Sequence, residues 1–174
     1  MNLMTRYCCT FLVAASLLAA ADEAQILRVD DHVYRGRQPR TEDFPALAKM
    51  GIRTVLDLRG GSIHTPRERK EVEAAGMRYI SIGLSGIFAP SYDQMNRILA
   101  VLQDPKRAPV FVHCRRGDDR SGMVIACYRI VHDHWTNEQA LAEAREHGIS
   151  RFEVLMRTYV EHFDPSRIQA PAIN

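Results

Sequence analysis

The chain has 174 residues, of which 46% are hydrophobic and 25% charged, with a formal net charge of +2. That length suits one globular domain with a real core, and the weak positive balance lacks the basic face that a nucleic-acid binder needs. Nucleic acid is therefore excluded as a partner, and capture of any anionic substrate has to be local.

Met1 to Ala21 stands apart from the fold. Arg6 supplies a positive start, Cys8 to Ala21 is uncharged and largely apolar, and Ala19-Ala20-Ala21 offers a small-residue cleavage site before Asp22. This predicts a secretory signal peptide over 1–21 and an exported product, periplasmic or secreted. The apolar stretch, about 14 residues, is shorter than the ~20 that a span requires, so no membrane association is expected after cleavage. A monomeric domain over 22–165 and a frayed tail over 166–174 are expected. Of the four cysteines, Cys114 and Cys127 remain in the mature chain, and Cys127 is expected to point into the core.

In chain order, Ile26 to Val29 and His32 to Arg35 flank Asp30-Asp31 and predict a hairpin or edge-strand pair before Gly36-Arg-Gln-Pro39. Thr41 is the expected cap of a helix over Glu42 to Met50, stopped by Gly51. Arg53 to Arg59 predicts a central strand ending at Gly60-Gly61. Thr65-Pro66-Arg67-Glu68 has the pattern of a capping box with proline at the first helical position, opening a helix to about Ala75 with a solvated Arg/Lys/Glu face. Met77 to Ile82 predicts a strand, Gly83 to Pro90 a loop, and Ser91-Tyr-Asp-Gln94 the start of a helix to about Leu102. Beyond residue 130, Thr136 caps a helix over Asn137 to His147, and Ser150 opens a last one to Phe163 with Phe152, Leu155, Met156 and Tyr159 on one face. Strands alternating with helices imply an α/β domain whose mostly parallel sheet of four to five strands is flanked by helices and binds ligands beyond its strands' carboxyl ends.

The chemistry lies between Val110 and Gly122. Val110 to Val112 reads as a buried strand ending in His113 and Cys114, Arg115 to Asp119 as a polar turn, and Ser121 onward as a buried helix. Five residues between Cys114 and Arg120 let successive backbone N–H groups, those of Gly117 and Asp118 included, point into one hollow at the positive end of that helix. A phosphate dianion fits there, and Arg120 closes the ring with a planar fork matched to two of its oxygens. Cys114 sits at the base, where the same donors favour thiolate over thiol.

His113-Cys114-Arg115-Arg116-Gly117-Asp118-Asp119-Arg120-Ser121 carries the His-Cys-x5-Arg-Ser pattern. With Val33-Tyr-Arg-Gly-Arg-Gln-Pro39 and Thr54-Val-Leu-Asp-Leu-Arg59, it makes residues 33–163 resemble the compact dual-specificity-like tyrosine phosphatases, notably the exported bacterial ones and the small fungal and plant atypical group. The resemblance implies hydrolysis of phosphomonoesters through a phosphocysteine intermediate, with no metal and no other cofactor. Cys114 would be the nucleophile, Arg120 the phosphate clamp, and Ser121 the hydroxyl that stabilises the departing thiolate. His113 would order the loop from behind. The expected partner is a phosphorylated protein or a small phosphomonoester.

The family's usual acidic residue after the preceding strand is missing, because Ser81 to Pro90 contains none. Asp119, beside Arg120, is the better candidate for general acid and Asp93 the weaker; the alternatives are that Asp118 and Asp119 only hold neighbouring donors, or that no acid is needed. Arg115 and Arg116 add positive potential at the mouth and suit a substrate with several negative groups, such as an inositol phosphate or pyrophosphate, while Asp118 and Asp119 partly cancel it. Arg35, Arg37 and Arg59 read as solvated surface arginines. The competing functions are an inositol-phosphate hydrolase using the same residues and a phosphate-binding pseudophosphatase without turnover.

Overall fold

The computed structural model describes residues 26–60 and 65–169; the expected signal peptide and the last five residues lie outside them. Five short strands form one sheet: β1 (Leu27–Arg28), β2 (Val33–Gly36), β3 (Thr54–Asp57), β4 (Arg78–Ser81) and β5 (Val110–His113). Their spatial order is β1-β2-β5-β3-β4, and only the β1–β2 hairpin is antiparallel. The expected mostly parallel α/β sheet is thus present, with β5 at its centre. Every residue of β3 and β5 is buried, as strands covered on both faces require.

Six helices cover the two faces: α1 (Phe44–Lys49), α2 (Thr65–Ala74), α3 (Tyr92–Leu102), α4 (Asp119–His132), α5 (Asn137–Glu146) and α6 (Val154–Glu161). Strand alternation sorts the core. Leu56, Val110 and Val112 face α3 to α6, whereas Val55, Phe111 and Tyr79 face Phe44, Leu47 and Val72 of α1 and α2. Helix α4 is the axis of the larger side, burying Met123 to Tyr128 without interruption. Among the described residues no helix is long and apolar enough to cross a membrane.

Several caps stand where the sequence puts them. Ser91 and Thr136 each accept a hydrogen bond from the amide three residues on, and the glutamine there bonds back to the cap's own N–H. The two other expected caps fail. A 3-10 turn over Thr41–Asp43 precedes α1, so Thr41 lies inside it and its hydroxyl donates to Glu71 Oε1 at 2.9 Å. Glu68 does not reach back to cap α2 but turns inward and is buried. The last helix starts at Val154 rather than Ser150, which rotates its inner face to Met156, Tyr159 and Val160 and leaves Phe152 and Leu155 in solvent. Residues 166–169 are not frayed: Arg167 lies 3.6 Å from the Tyr92 ring centroid, and the Gln169 amide donates to Asn96 Oδ1 at 2.9 Å.

Two glycines tie the loop after β4 to the end of β3. A Cβ on Gly83 would lie 2.4 Å from the Gly60 Cα, so the backbones touch where they cross. Gly83→Ala is expected to cost about 2–3 kcal/mol, since backbone rather than a flexible side chain must give way. Urea melts of the variant would show an unchanged midpoint if the crossing were looser than described.

Candidate active site

The sheet register sets the site. Gly36, His113, Asp57 and Ser81 share one row at the carboxyl edge, so the residue after His113 emerges at the middle of that edge. That residue is Cys114, buried beneath a loop that runs into α4 at Asp119. Gly117 adopts φ +89, and a Cβ there would lie 2.6 Å from the Gly36 carbonyl carbon; both conformation and space demand glycine. Its amide points back at Cys114, donating to Sγ at 3.3 Å. The Ser121 hydroxyl, fully buried in the first turn of α4, lies 3.5 Å from the same sulfur.

The loop's carbonyls are engaged from behind. Arg35 Nη2 donates to Gly117 O at 2.7 Å and to Asp118 O at 3.4 Å, the Gln38 amide donates to Arg115 O at 3.4 Å, and His113 Nδ1 lies 3.3 Å from Cys114 O. Arg35 is therefore no surface arginine. It is 2% exposed; burial pulls its guanidinium below its ordinary value, and the charges of Cys114, Glu143 and Asp118 oppose that pull.

A second buried charged group lies across β5, at the end of β3. Arg59, also read as a surface residue, bonds Asp57 through Nε and Nη2 at 2.9 and 2.8 Å and makes a close ion pair with Glu68. Tyr79 donates to Asp57 Oδ2 at 2.7 Å. Glu68 Oε1 lies 2.8 Å from His113 Nε2, a charge contact without hydrogen-bond alignment. Asp57, Glu68 and His113 could by proximity hold a cation. The Arg59 guanidinium already bridges the two carboxylates, while Glu68 Oε1 and His113 Nε2 keep no hydrogen-bond partner.

Cys114, Arg115, Arg116, Asp119 and Arg120 line one cavity of about 610 Å³, together with Gly86 and Glu153. Arg120 is half-buried on its wall. The Asp119 carboxylate accepts from Arg116 Nη2 at 2.6 Å and from the Ser150 amide at 2.8 Å, so both oxygens are engaged. Glu153 is a second carboxylate on the same wall, and sequence reasoning missed it because it sits outside every motif, just before α6. Asp118 faces away. Its carboxylate borders a separate cavity with Glu146 and His147, where burial and then the neighbouring Asp119 charge hold it above the usual carboxylate value. His113 is wholly buried and orders the loop rather than meeting a ligand. Asp93 is exposed at the start of α3, 3.4 Å from Arg97, and does not line the cavity. Arg37 is half-buried and, with Arg115, borders a further cavity of about 490 Å³.

A family model described as "DSP-PTPase phosphatase fused to NAD+ Kinase" matches residues 12–162. The chain belongs to this phosphatase family. The inositol diphosphatase DSP3 of Arabidopsis thaliana is 28% identical over 140 residues, which is 78% of this chain and 68% of the relative. The dual specificity protein phosphatase TpbA of Pseudomonas aeruginosa is 24% identical over 123 residues, 71% of this chain and 54% of that protein. Among solved structures, TpbA has a TM-score of 0.71 at 24% identity, covering 85% of this chain and 90% of its own. The catalytic core of the Saccharomyces cerevisiae phosphatase SIW14 has a TM-score of 0.71 at 23% identity, covering 80% and 85%. These structures share the fold, and the phosphatase is a cysteine-dependent hydrolase. Cys127 is a second free thiol, inside α4, and burial pushes it up.

The buried network predicts an acid limit to stability. Burial raises the Asp57 carboxyl, but the Arg59 hydrogen bonds, the His113 charge and the Tyr79 hydroxyl outweigh it and bring it down to about 2. A folded value below the unfolded one means that Asp57 stabilises the phosphatase above about pH 4 and loses that contribution as pH falls toward 2. The loss is expected to be about 2 kcal/mol. Urea melts between pH 5 and 2 should show it in the native protein and a flatter dependence in Asp57→Asn, which should also start from lower stability at pH 7.

Proposed function

We propose that this phosphatase hydrolyses phosphotyrosine and similar phosphomonoesters of proteins, with Cys114 as nucleophile. The observation that carries the reading is one cavity lined by both Cys114 and Arg120, at the positive end of the 14-residue helix α4. The sulfur, as thiolate, attacks phosphorus; the S–P bond forms as the ester P–O bond breaks, and Arg120 with the loop amides takes up charge on the equatorial oxygens. Asp119 delivers a proton to the leaving oxygen, which requires it to carry that proton in place of the Arg116 contact. Water then attacks the phosphocysteine, returning a proton to the Asp119 carboxylate as the S–P bond breaks, and the Ser121 hydroxyl stabilises the sulfur as it departs. A TpbA variant has been solved with phosphotyrosine, which supports this substrate class.

Cys114→Ser should abolish hydrolysis of para-nitrophenyl phosphate while phosphate binding persists; turnover by that variant would overturn the nucleophile. Asp119→Asn should lose about 10²-fold in rate on alkyl phosphates and far less on esters of acidic phenols. Equal losses along that series would remove Asp119 as acid, and a graded loss in Glu153→Gln would move the role there.

The second reading is an inositol phosphate or pyrophosphate hydrolase. It is favoured by Arg115, which lines both the Cys114 cavity and the neighbouring one, whose wall carries Arg37, Arg40 and Arg67 together with Glu42, Glu68 and Glu71. A substrate with phosphates on adjacent carbons would place one in each. Comparative kcat/KM on phosphotyrosine peptides and inositol pyrophosphates separates the two readings.

Export is part of the proposal, resting on the composition of residues 1–21. Expressed with its full sequence in a Gram-negative host, the protein should be recovered from the periplasm with Asp22 at its N-terminus. An intact Met1 on cytoplasmic protein would overturn export.

A further inference from the structure

Five of the six large apolar side chains that the described residues leave open to solvent stand on the two segments bordering the Cys114 cavity. Ile87 and Phe88 are 66% and 65% exposed beside Gly86; Phe152, Val154 and Leu155 are 78%, 59% and 48% exposed around Glu153. Gly86 and Glu153 themselves line the cavity, so the apolar groups form two lips of one mouth. Scattered exposed hydrophobics need no explanation, but their concentration around a single opening does.

Both lips are built by the same device. Ser85 Oγ accepts from the Ile87 and Phe88 amides at 3.1 and 2.9 Å, and Ser150 Oγ accepts from the Phe152 amide at 3.2 Å. Such serine turns fix the path of the chain and hold the ring-bearing residues outward. Arg151 lies 4.9 Å from the Phe152 ring centroid, and its carbonyl accepts from Arg157 Nη1 at 3.2 Å. The first lip is rooted where Gly83 meets Gly60 and the Leu84 amide bonds Leu58 O at 2.9 Å. Apolar surface held in water by ordered turns is surface that gains on being covered.

We propose that these lips are a docking surface for a polypeptide substrate carrying large, uncharged apolar side chains on both sides of the phosphorylated residue. This deepens the protein-phosphatase reading and rests on it. The phosphate enters the cavity while Ile87–Phe88 and Phe152–Leu155 cover the flanks. Charge selects this occupant over others. Gly83 to Ser91 carries no charged residue, Arg151 is stacked on Phe152, and Glu153 stands between Phe152 and Val154. An anionic bilayer wants several Lys and Arg around its inserted apolar groups; Gly83 to Ser91 has none, and the one arginine of the other lip, Arg151, is stacked on Phe152 and followed by Glu153. Glu153 disfavours acidic flanks, and an inositol phosphate has no apolar body to cover the lips.

The test uses the full chain with Phe88→Ser, Phe152→Ser and the double variant. The substrates are a phosphotyrosine peptide with Leu and Phe flanks, the same peptide with Ser and Gly flanks, and para-nitrophenyl phosphate. The native enzyme should favour the apolar peptide by about tenfold or more in kcat/KM, through KM, and the double variant should lose that preference. Phe88 and Phe152 do not line the cavity, so para-nitrophenyl phosphate reports its integrity, and its rate should be retained. Equal kcat/KM for the two peptides, or no hydrolysis of either alongside normal para-nitrophenyl phosphate turnover, would overturn the docking proposal while leaving the phosphatase standing. Loss of para-nitrophenyl phosphate turnover in the variants would overturn it by placing the phenylalanines in the cavity's own framework. Sedimentation with phosphatidylglycerol vesicles that depends on Phe88 and Phe152, without a peptide preference, would overturn it in favour of a membrane. Native protein inactive on all three substrates would instead sink the phosphatase reading beneath it.

Discussion

A backbone loop presents its N–H groups to one side only if its carbonyls are satisfied on the other, and this structure depends on how that is done. The carbonyls of Cys114, Arg115, Gly117 and Asp118 are met by His113, the Gln38 amide, and the Arg35 guanidinium together with the start of α4. Burying a guanidinium is costly, and Arg35 keeps two further nitrogens, Nε and Nη1, without hydrogen-bond partners. Two carbonyl bonds and the nearby charges of Cys114 and Asp118 offset part of that cost. An uncharged residue at that position would leave the Gly117 and Asp118 peptides freer to turn, and the bowl would lose its inward-facing donors.

The other side of the loop is fixed by the sheet itself. Because Asp57 and His113 are neighbours in register, the network of Asp57, Arg59 and Glu68 reaches the imidazole directly, and the imidazole reaches the Cys114 carbonyl. Strand β2 and strand β3 therefore grip the residue after β5 from both sides, one through Arg35 and Gly36 and the other through Asp57 and Arg59. The charged groups sit behind the sulfur, where they shape the loop without competing for an incoming anion.

Local signals were legible in the sequence. The 114–120 loop, the Gly117 turn and the caps at Ser91 and Thr136 each depend on residues within a few positions of one another, which a linear reading sees. What escaped it depends on distant partners. Arg35, Arg59 and Glu68 look like solvated charges until the fold places Gly117, Asp57 and His113 beside them. Helical phase is the other source of error: starting α6 at Val154 turns Phe152 and Leu155 outward, although their spacing alone suits a core face. Asp118 and Asp119 are adjacent yet serve different cavities, a division set by the entry angle of α4 that no residue pattern encodes.

The contacts that shape the loop come from behind it, through Arg35, Gln38 and His113, and its far end is continuous with the most deeply buried helix of the fold. Such a receptacle has its form in advance, so an oxyanion entering it bears little ordering cost. If the loop takes up the phosphoryl group as proposed, inorganic phosphate would meet the same donors as the ester from which it was cut. Product inhibition is then the expected consequence, and net flux would depend on how quickly the surroundings carry free phosphate away.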